Sequence, residues 1–273
     1  MEQPQSDGGV EQPARKARTP LALKVAYAVL ALAVVSFLAI LLPGPFYRVR
    51  VLSLSEAFHS IAYGAYGGIV AGILGVVMLL WIGFTQRGAR RFIVPVLAIL
   101  FAAVAWGMPY LWLKKAESVP PIHDITTDTR NPPQFLPDVL TLRAAAHAVN
   151  STVYGGPKVA ALQKKAYPYI RPMFFKLAPS KVFAAALRTV KAMGWKLDSE
   201  HPNLGIIEAS STTFWFGFTD DVVIRIESQS DQTRLDIRSE SRIGESDIGR
   251  NAARIMRFRS MLYRKLHLHA PAS

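Results

Sequence analysis

Polar and apolar positions divide the chain into two regimes. The first is built from long unbroken apolar runs at residues 23–42, about 61–84 and 92–113. A helix of about 20 apolar residues crosses a bilayer core, and a helix is the only open-chain form that satisfies its own backbone there. Three transmembrane helices are therefore expected. The second run carries Gly64, Gly68 and Gly72 at every fourth position, with Gly75 nearby, a spacing that lets a neighbouring helix approach closely. The second regime is periodic. Val182, Phe183, Ala186, Leu187, Val190 and Met193 recur at helical spacing between Ser180 and Gly194, which predicts a capped amphipathic helix. Strands are expected at about 195–200, 204–216, 221–229 and 233–242, separated by short polar turns, in an antiparallel meander.

The last hairpin specifies its own register. With Ser230 and Asp231 as the loop, Glu227 faces Arg234 and Arg225 faces Asp236, while Ile226 meets Leu235 and Ile224 meets Ile237. A one-residue slip would exchange the faces and lose both sets of pairs. Beyond it, Gly244 allows a sharp turn and Ser246 is a natural N-cap for a final helix. Ile248, Ala252, Ile255, Leu262 and Leu266 form the apolar stripe of that helix, with Arg250, Arg254, Arg257, Arg264 and Lys265 opposite and Arg259 projecting into the stripe. Weaker helical patterns occur at 140–148 and 158–165, and a short strand is expected around 171–177. The predicted class is α+β: a meander of four to five strands with two main helices on one face, preceded by the three transmembrane helices. The domains expected are a disordered tail at 1–19, a membrane anchor at 20–115 and an α+β domain at 116–273.

Charge sets an orientation. Nine basic and four acidic residues precede Lys114, giving +5, and 23 and 15 follow, giving +8. Arg15, Lys16, Arg18 and Lys24 before the first span, with Arg87, Arg90 and Arg91 in the second loop, stand against Arg48, Arg50, Lys114 and Lys115 on the other side. Seven against four places the N-terminus inside and the final domain outside. For a bacterial inner membrane that means a periplasmic domain, and nucleic acid is not an expected partner. Past Lys24 the spans have no Asp, Glu, Lys, Arg or His in their interiors, so they suit an anchor better than a transport path. The chain has no cysteine, which excludes disulfides and thiolate chemistry.

Several of these segments resemble a known family. The segments PPIHDITTD, NPP, YPYIRP, the GW after the helix, IEASSTTFWFGFTDDVVIRI and DIRSESRIGESDIGRNAARI, over about residues 120–258, resemble the bacterial and plastid family called domain of unknown function 1499. The resemblance implies domain identity and assigns no activity.

Four constellations are candidates for chemistry. Arg238, Ser241, Arg242, Ser246 and Asn251 could converge on an anion at the start of the last helix, although Glu245 and Asp247 already supply negative charge there. The alternative is a structural network of Arg225, Glu227, Arg234, Asp236 and Asp247 together with Arg238. His123, Asp124 and Asp128 have residue types suited to a divalent metal or to acid/base work, against a loop that uses Asp and Thr to cap its own backbone. Asp220 and Asp221 diverge as strand neighbours, so they shape a turn better than they form an acid pair. Phe214, Phe216 and Phe218 share one strand face and Trp215 the other, and either segment 140–165 covers them or they expose an apolar patch. No GxSxG, HExxH or phosphate-binding glycine loop is present. No cofactor or metal is expected. The function expected is a non-catalytic envelope module that binds anionic lipid or an envelope protein; the alternative is a periplasmic enzyme acting on an anionic small molecule.

Overall fold

A computed structural model of the protein describes residues 21–85 and 89–269. The tail expected at 1–19, with Arg15, Lys16 and Arg18, and Arg87 of the second loop lie outside the described residues. The chain forms two compact units, one from the residues up to Leu41 with His59–Met108, the other from Leu42–Phe58 with Pro109–Ser273.

The first unit is helical. Helices α1 (Leu21–Leu41), α3 (Leu54–Thr85) and α4 (Ile93–Glu117) belong to three stretches long and apolar enough to cross a membrane. The glycines of α3 serve close approach on two sides. A Cβ on Gly64 would lie 2.8 Å from the Ser36 carbonyl oxygen of α1, and one on Gly68 would lie 3.0 Å from Ala105 Cβ of α4. Ala26, Ala33, Ala71, Ala98 and Ala102 fill the remaining contact surface. Small residues make this packing possible where burial of apolar surface offers no driving force.

The second unit is an antiparallel sheet with both faces covered. Its meander runs β3 (Lys196–His201), β4 (Ile206–Thr212), β5 (Thr219–Gln229) and β6 (Gln232–Ser241). Two three-residue strands, β1 (Asp124–Thr126) and β2 (Met173–Phe175), pair end to end along the free edge of β6 and raise the sheet to six strands. The hairpin register is the expected one, with Arg225 opposite Asp236, Glu227 opposite Arg234, Ile226 opposite Leu235 and Ile224 opposite Ile237.

Helices α7 (Pro179–Ala192) and α8 (Arg250–Lys265) cover one face over a core that includes Val182, Ala186, Val190, Ile224, Leu235, Ile237, Ile255, Phe258 and Leu262. Helix α6 (Gly156–Ala166) flanks β1, where Val159, Leu162 and Ala166 meet the same core. The other face is covered by α5 (Pro137–Ala145) and the loops around it, and its apolar part is small: Phe135, Val139 and Val223, with Ile206. The rest of that interior is ionic.

Three local expectations change. Strand β4 stops at Thr212, because Thr213–Phe218 closes a turn through Phe218 O to Thr213 N (2.8 Å), with Gly217 at φ 73°. The aromatic residues therefore do not alternate across a sheet. Phe216 is buried beside Tyr47, Phe58 and Phe218, and Trp215 lies on Trp112 at 5.0 Å with its indole over Gly44. Segment 42–58, including the short helix α2 (Pro43–Arg48), covers them rather than segment 140–165, and Phe214 alone of the group stays outside at 91% exposed. Arg48 fixes the contact by donating to the Phe214 carbonyl at 2.5 Å.

The final helix begins later than Ser246 suggests. Ile248 (φ 53°) and Gly249 (φ 76°) are both left-handed, and Asp247 accepts from Gly249 N and Asn251 N, each at 2.7 Å. A β-branched residue held at positive φ is strained, and the Asp247 clasp is what holds it. Arg254 is not on the solvent side. It is buried and pairs with Asp220.

Candidate functional site

Strict alternation in β6 sends Arg234, Asp236, Arg238, Glu240 and Arg242 to the face beneath α5, and β5 adds Asp221 and Arg225. Arg238 is fully buried. It grips Asp124 with two bonds (Nε to Oδ1 2.9 Å, Nη2 to Oδ2 2.8 Å) and donates to the Thr152 and Pro133 carbonyls at 2.7 and 3.2 Å. Its guanidinium lies 5.1 Å from the Phe135 ring and 5.8 Å from the Tyr154 ring. Arg143 of α5 reaches down to Asp221 (2.7 Å) and Glu240 (3.1 Å), and Arg242 holds Asp221 from the other side at 2.7 Å. Burial first, and the Asp124 charge second, push Glu240 up to about 8 against the pull of Arg143 and Arg238.

A second cluster lies further along the same face. Asp236 accepts from Arg225 (3.0 Å), Arg234 (2.8 Å) and Thr127 Oγ1 (3.0 Å). Asp128 takes the backbone N–H groups of Arg130 and Asn131 on one oxygen and Arg234 on the other at 2.6 Å. Burial alone would raise the Asp128 carboxyl, but those amides and the two arginines outweigh it and hold it low. Glu227 lies 3.5 Å from Arg225 at the solvent edge.

On the opposite face a polar knot closes the helix layer. Asn251 accepts from Ser239 Oγ (2.7 Å) and donates to Ser241 Oγ (3.1 Å) and to the His123 carbonyl (2.8 Å), while Arg254 bridges Ser239 and Asp220. The five residues expected to converge on an anion are thus divided by the sheet. Arg238 and Arg242 lie under α5, and Ser241 and Asn251 lie under α8. Ser246 Oγ accepts from Ile248 N at 3.2 Å, so the amides at the head of α8 already have partners from their own turn. His123, Asp124 and Asp128 also separate. The His123 ring meets the Glu245 carbonyl at 3.4 Å, and each carboxylate is held by its own arginine. Of the structural set, Arg225, Arg234 and Asp236 form one cluster, and Asp247 belongs to the other face.

A family model described as protein of unknown function (DUF1499) matches residues 124–262. The chain belongs to this family. Comparison with curated proteins gives no match. The DUF1499 match begins at Asp124, which clasps Arg238, and ends at Leu262, which is fully buried in α8. It therefore takes in the whole sheet and both polar interiors.

Three features of the DUF1499 domain had no expectation attached. The Gln163 side chain pairs with Thr126 like a further strand, its oxygen accepting from Thr126 N (3.0 Å) and its amide donating to Thr126 O (2.7 Å). Asp138, His201 and Glu208 place ligand-type atoms within 4.8 Å of one another. Glu208, raised by its burial, already accepts from Leu136 N and Ser199 Oγ, each at 2.7 Å, and His201 Nε2 lies 3.3 Å from Asp138. The third is a cleft of about 410 Å³ lined by loop 127–130 and segment 167–172 with Lys164. Chemically, Asp124, Asp128, Asp221, Asp236 and Glu240 are held by guanidinium groups, and Glu208 by a backbone amide and a hydroxyl.

Proposed function

We propose that the protein is a membrane-anchored extracytoplasmic module that works by binding, with its N-terminus in the cytoplasm and its domain on the outer, periplasmic side of a bacterial inner membrane. One observation carries the binding reading. Helices α6, α7 and α8 hold twelve basic residues and no acidic one, and Arg254 is buried against the Asp220 carboxylate. A single-sign surface attracts an anionic partner across a Debye length, and a membrane tether keeps it close to anionic headgroups. The partner is anionic lipid or an acidic envelope protein. The carboxylates paired with Arg143, Arg225, Arg234, Arg238 and Arg242 support binding over catalysis.

Parity supports the topology. The loop between the first and second spans and the domain after the third belong on one side of the bilayer, and Arg48 and Tyr47 of that loop pack on the turn at Phe214 and Phe216. Basic loop residues then choose which side. Reporter fusions after Leu266, one active only in the cytoplasm and one only outside it, test location. Flotation of the detergent-exchanged full chain with vesicles containing one third phosphatidylglycerol, in low and high salt, tests attraction. Cytoplasmic reporter activity overturns the topology, and salt-independent binding or none overturns the electrostatic reading.

A further inference from the structure

We propose that the cleft at the break between β1 and β2 is a binding site for a phosphate-bearing ligand with an apolar body. Strands β1 and β2 run along the same edge of β6 but stop short of each other, opposite Asp236 and Ile237. The chain leaves at Thr127 and returns at Tyr167, and the two departing segments form the walls of the cleft. A volume near 410 Å³ falls in the range of small-molecule sites.

The charges around the cleft do not cancel. Its carboxylate, Asp128, is spent on two backbone amides and on Arg234 and Arg225, which lie on its inner side. Arg130, Lys164 and Arg171 line the opening, and among the described residues none of them has a carboxylate within ion-pair distance. Arg171 is aimed rather than loose, since its Nε donates to the Pro168 carbonyl at 2.8 Å and leaves the two terminal nitrogens unoccupied. The Asp128 carboxylate accepts the Arg130 backbone N–H and so fixes the backbone from which that side chain projects. Two guanidinium forks and an ammonium suit an anion with three available oxygens, as a phosphate has. The walls next to them, Pro168, Ile170 and Pro172, are apolar, so the site also fits a carbon chain beside the phosphate. A phospholipid headgroup and a free phosphate ester share this chemistry.

The proposal deepens the anion-binding reading above and rests on it. Binding is measured calorimetrically on the full chain in a nonionic detergent. The probes are dihexanoylphosphatidylglycerol, glycerol 3-phosphate, inorganic phosphate and, as the neutral headgroup, dihexanoylphosphatidylcholine. A variant with Arg130→Gln, Lys164→Gln and Arg171→Gln removes the cleft charge. A second, with Lys181→Gln, Lys191→Gln and Arg257→Gln, removes the same charge from the helix layer. Saturable binding of one phosphatidylglycerol per chain is expected, at least tenfold weaker in the cleft variant and no more than about threefold weaker in the helix variant, which thins the diffuse surface charge. Glycerol 3-phosphate binding as tightly, with the same variant pattern, upholds the cleft and assigns it to a soluble phosphate ester, whereas inorganic phosphate binding as tightly overturns the apolar body. Equal losses in both variants overturn the cleft while leaving the diffuse surface attraction standing. No binding of any phosphate probe also overturns it, and vesicle flotation then decides the surface reading by itself.

Discussion

Replacing Arg238 with methionine tests whether the buried charge is structural. The side chain is fully buried, and the substitution leaves the Asp124 carboxylate, itself 5% exposed, without its paired cation, and leaves the Thr152 and Pro133 carbonyls without a donor. Breaking a buried ion pair from one side costs about 3–5 kcal/mol. Each stranded carbonyl adds about 1 kcal/mol, and methionine recovers about 1 kcal/mol by packing on Phe135 and Tyr154. The net loss is about 4–6 kcal/mol, against a whole-domain stability of about 5–15 kcal/mol. With a urea slope of about 2 kcal/mol/M, the unfolding midpoint falls by about 2–3 M. Pulse proteolysis of the full chain in detergent reads that midpoint at the second unit. Adding Asp124→Leu to Arg238→Met removes the stranded charge and is expected to restore at least half of the loss. A single-variant shift below about 0.5 M, or a double variant no better than the single, refutes the reasoning. An unchanged midpoint with abolished phosphatidylglycerol binding would make Arg238 a ligand-binding residue instead.

Glu240 makes stability depend on pH. An acid whose pKa is higher folded than unfolded contributes stability that is complete below its unfolded value, about 4.3, and is lost as pH rises through its folded value, here about 8. The wild-type urea midpoint should therefore fall between pH 6 and pH 9, and Glu240→Gln should flatten the curve and be the more stable form at pH 9; a parallel decline in both refutes this. Gln163→Leu strands both Thr126 backbone groups and should cost about 2–3 kcal/mol, visible as fast amide exchange at Thr126 before the rest of the sheet opens. Gly205 has φ 66°, and a Cβ there collides with the Ile226 carbonyl oxygen. Gly205→Ala should therefore lower the midpoint by the equivalent of at least 2 kcal/mol, and a shift under 0.5 kcal/mol would show that the β3–β4 turn relaxes freely.

The α+β fold was legible where a residue's partner is near in sequence. The β5–β6 register followed from alternation alone, because Ile224, Ile226, Leu235 and Ile237 demand one face and Arg225, Glu227, Arg234 and Asp236 the other. What escaped was the far partner. Arg143 sits in a weakly patterned helix, and nothing local shows that it spans 78 positions to Asp221. Arg254 reads as a solvent residue by helical spacing until Asp220, 34 positions away, is placed beneath it. The aromatic turn failed for a related reason: Phe214, Trp215 and Phe216 suit a strand by composition, and only Gly217 marked the reversal that turns Trp215 toward Gly44 and Trp112 and leaves Phe214 outside. The candidate anion set does not converge, and alternation along β6 already sends Arg238 and Arg242 to the face opposite Ser241. Arg242 and Ser241 are adjacent in the chain and separated by the sheet in the fold.

The partition of charge follows from how this sheet is covered. A sheet with one wet face can leave its polar positions to water, but here α5 and its loops dry the second face, so every charge that alternation sends there needs a partner within the domain. Seven charged residues of β5 and β6 meet that demand with Asp124 of β1, and with Asp128 and Arg143 from the covering segment. The segment can deliver those groups only by interrupting the edge strand between Thr126 and Met173, since a continuous strand would hold the chain in the plane of the sheet. The interruption leaves a gap, and Arg130, Lys164 and Arg171 line it without acidic partners. The buried network and the open basic cleft are therefore consequences of one feature of the topology: the excursion that neutralises the inner face leaves its surplus positive charge at the point where it departs and returns.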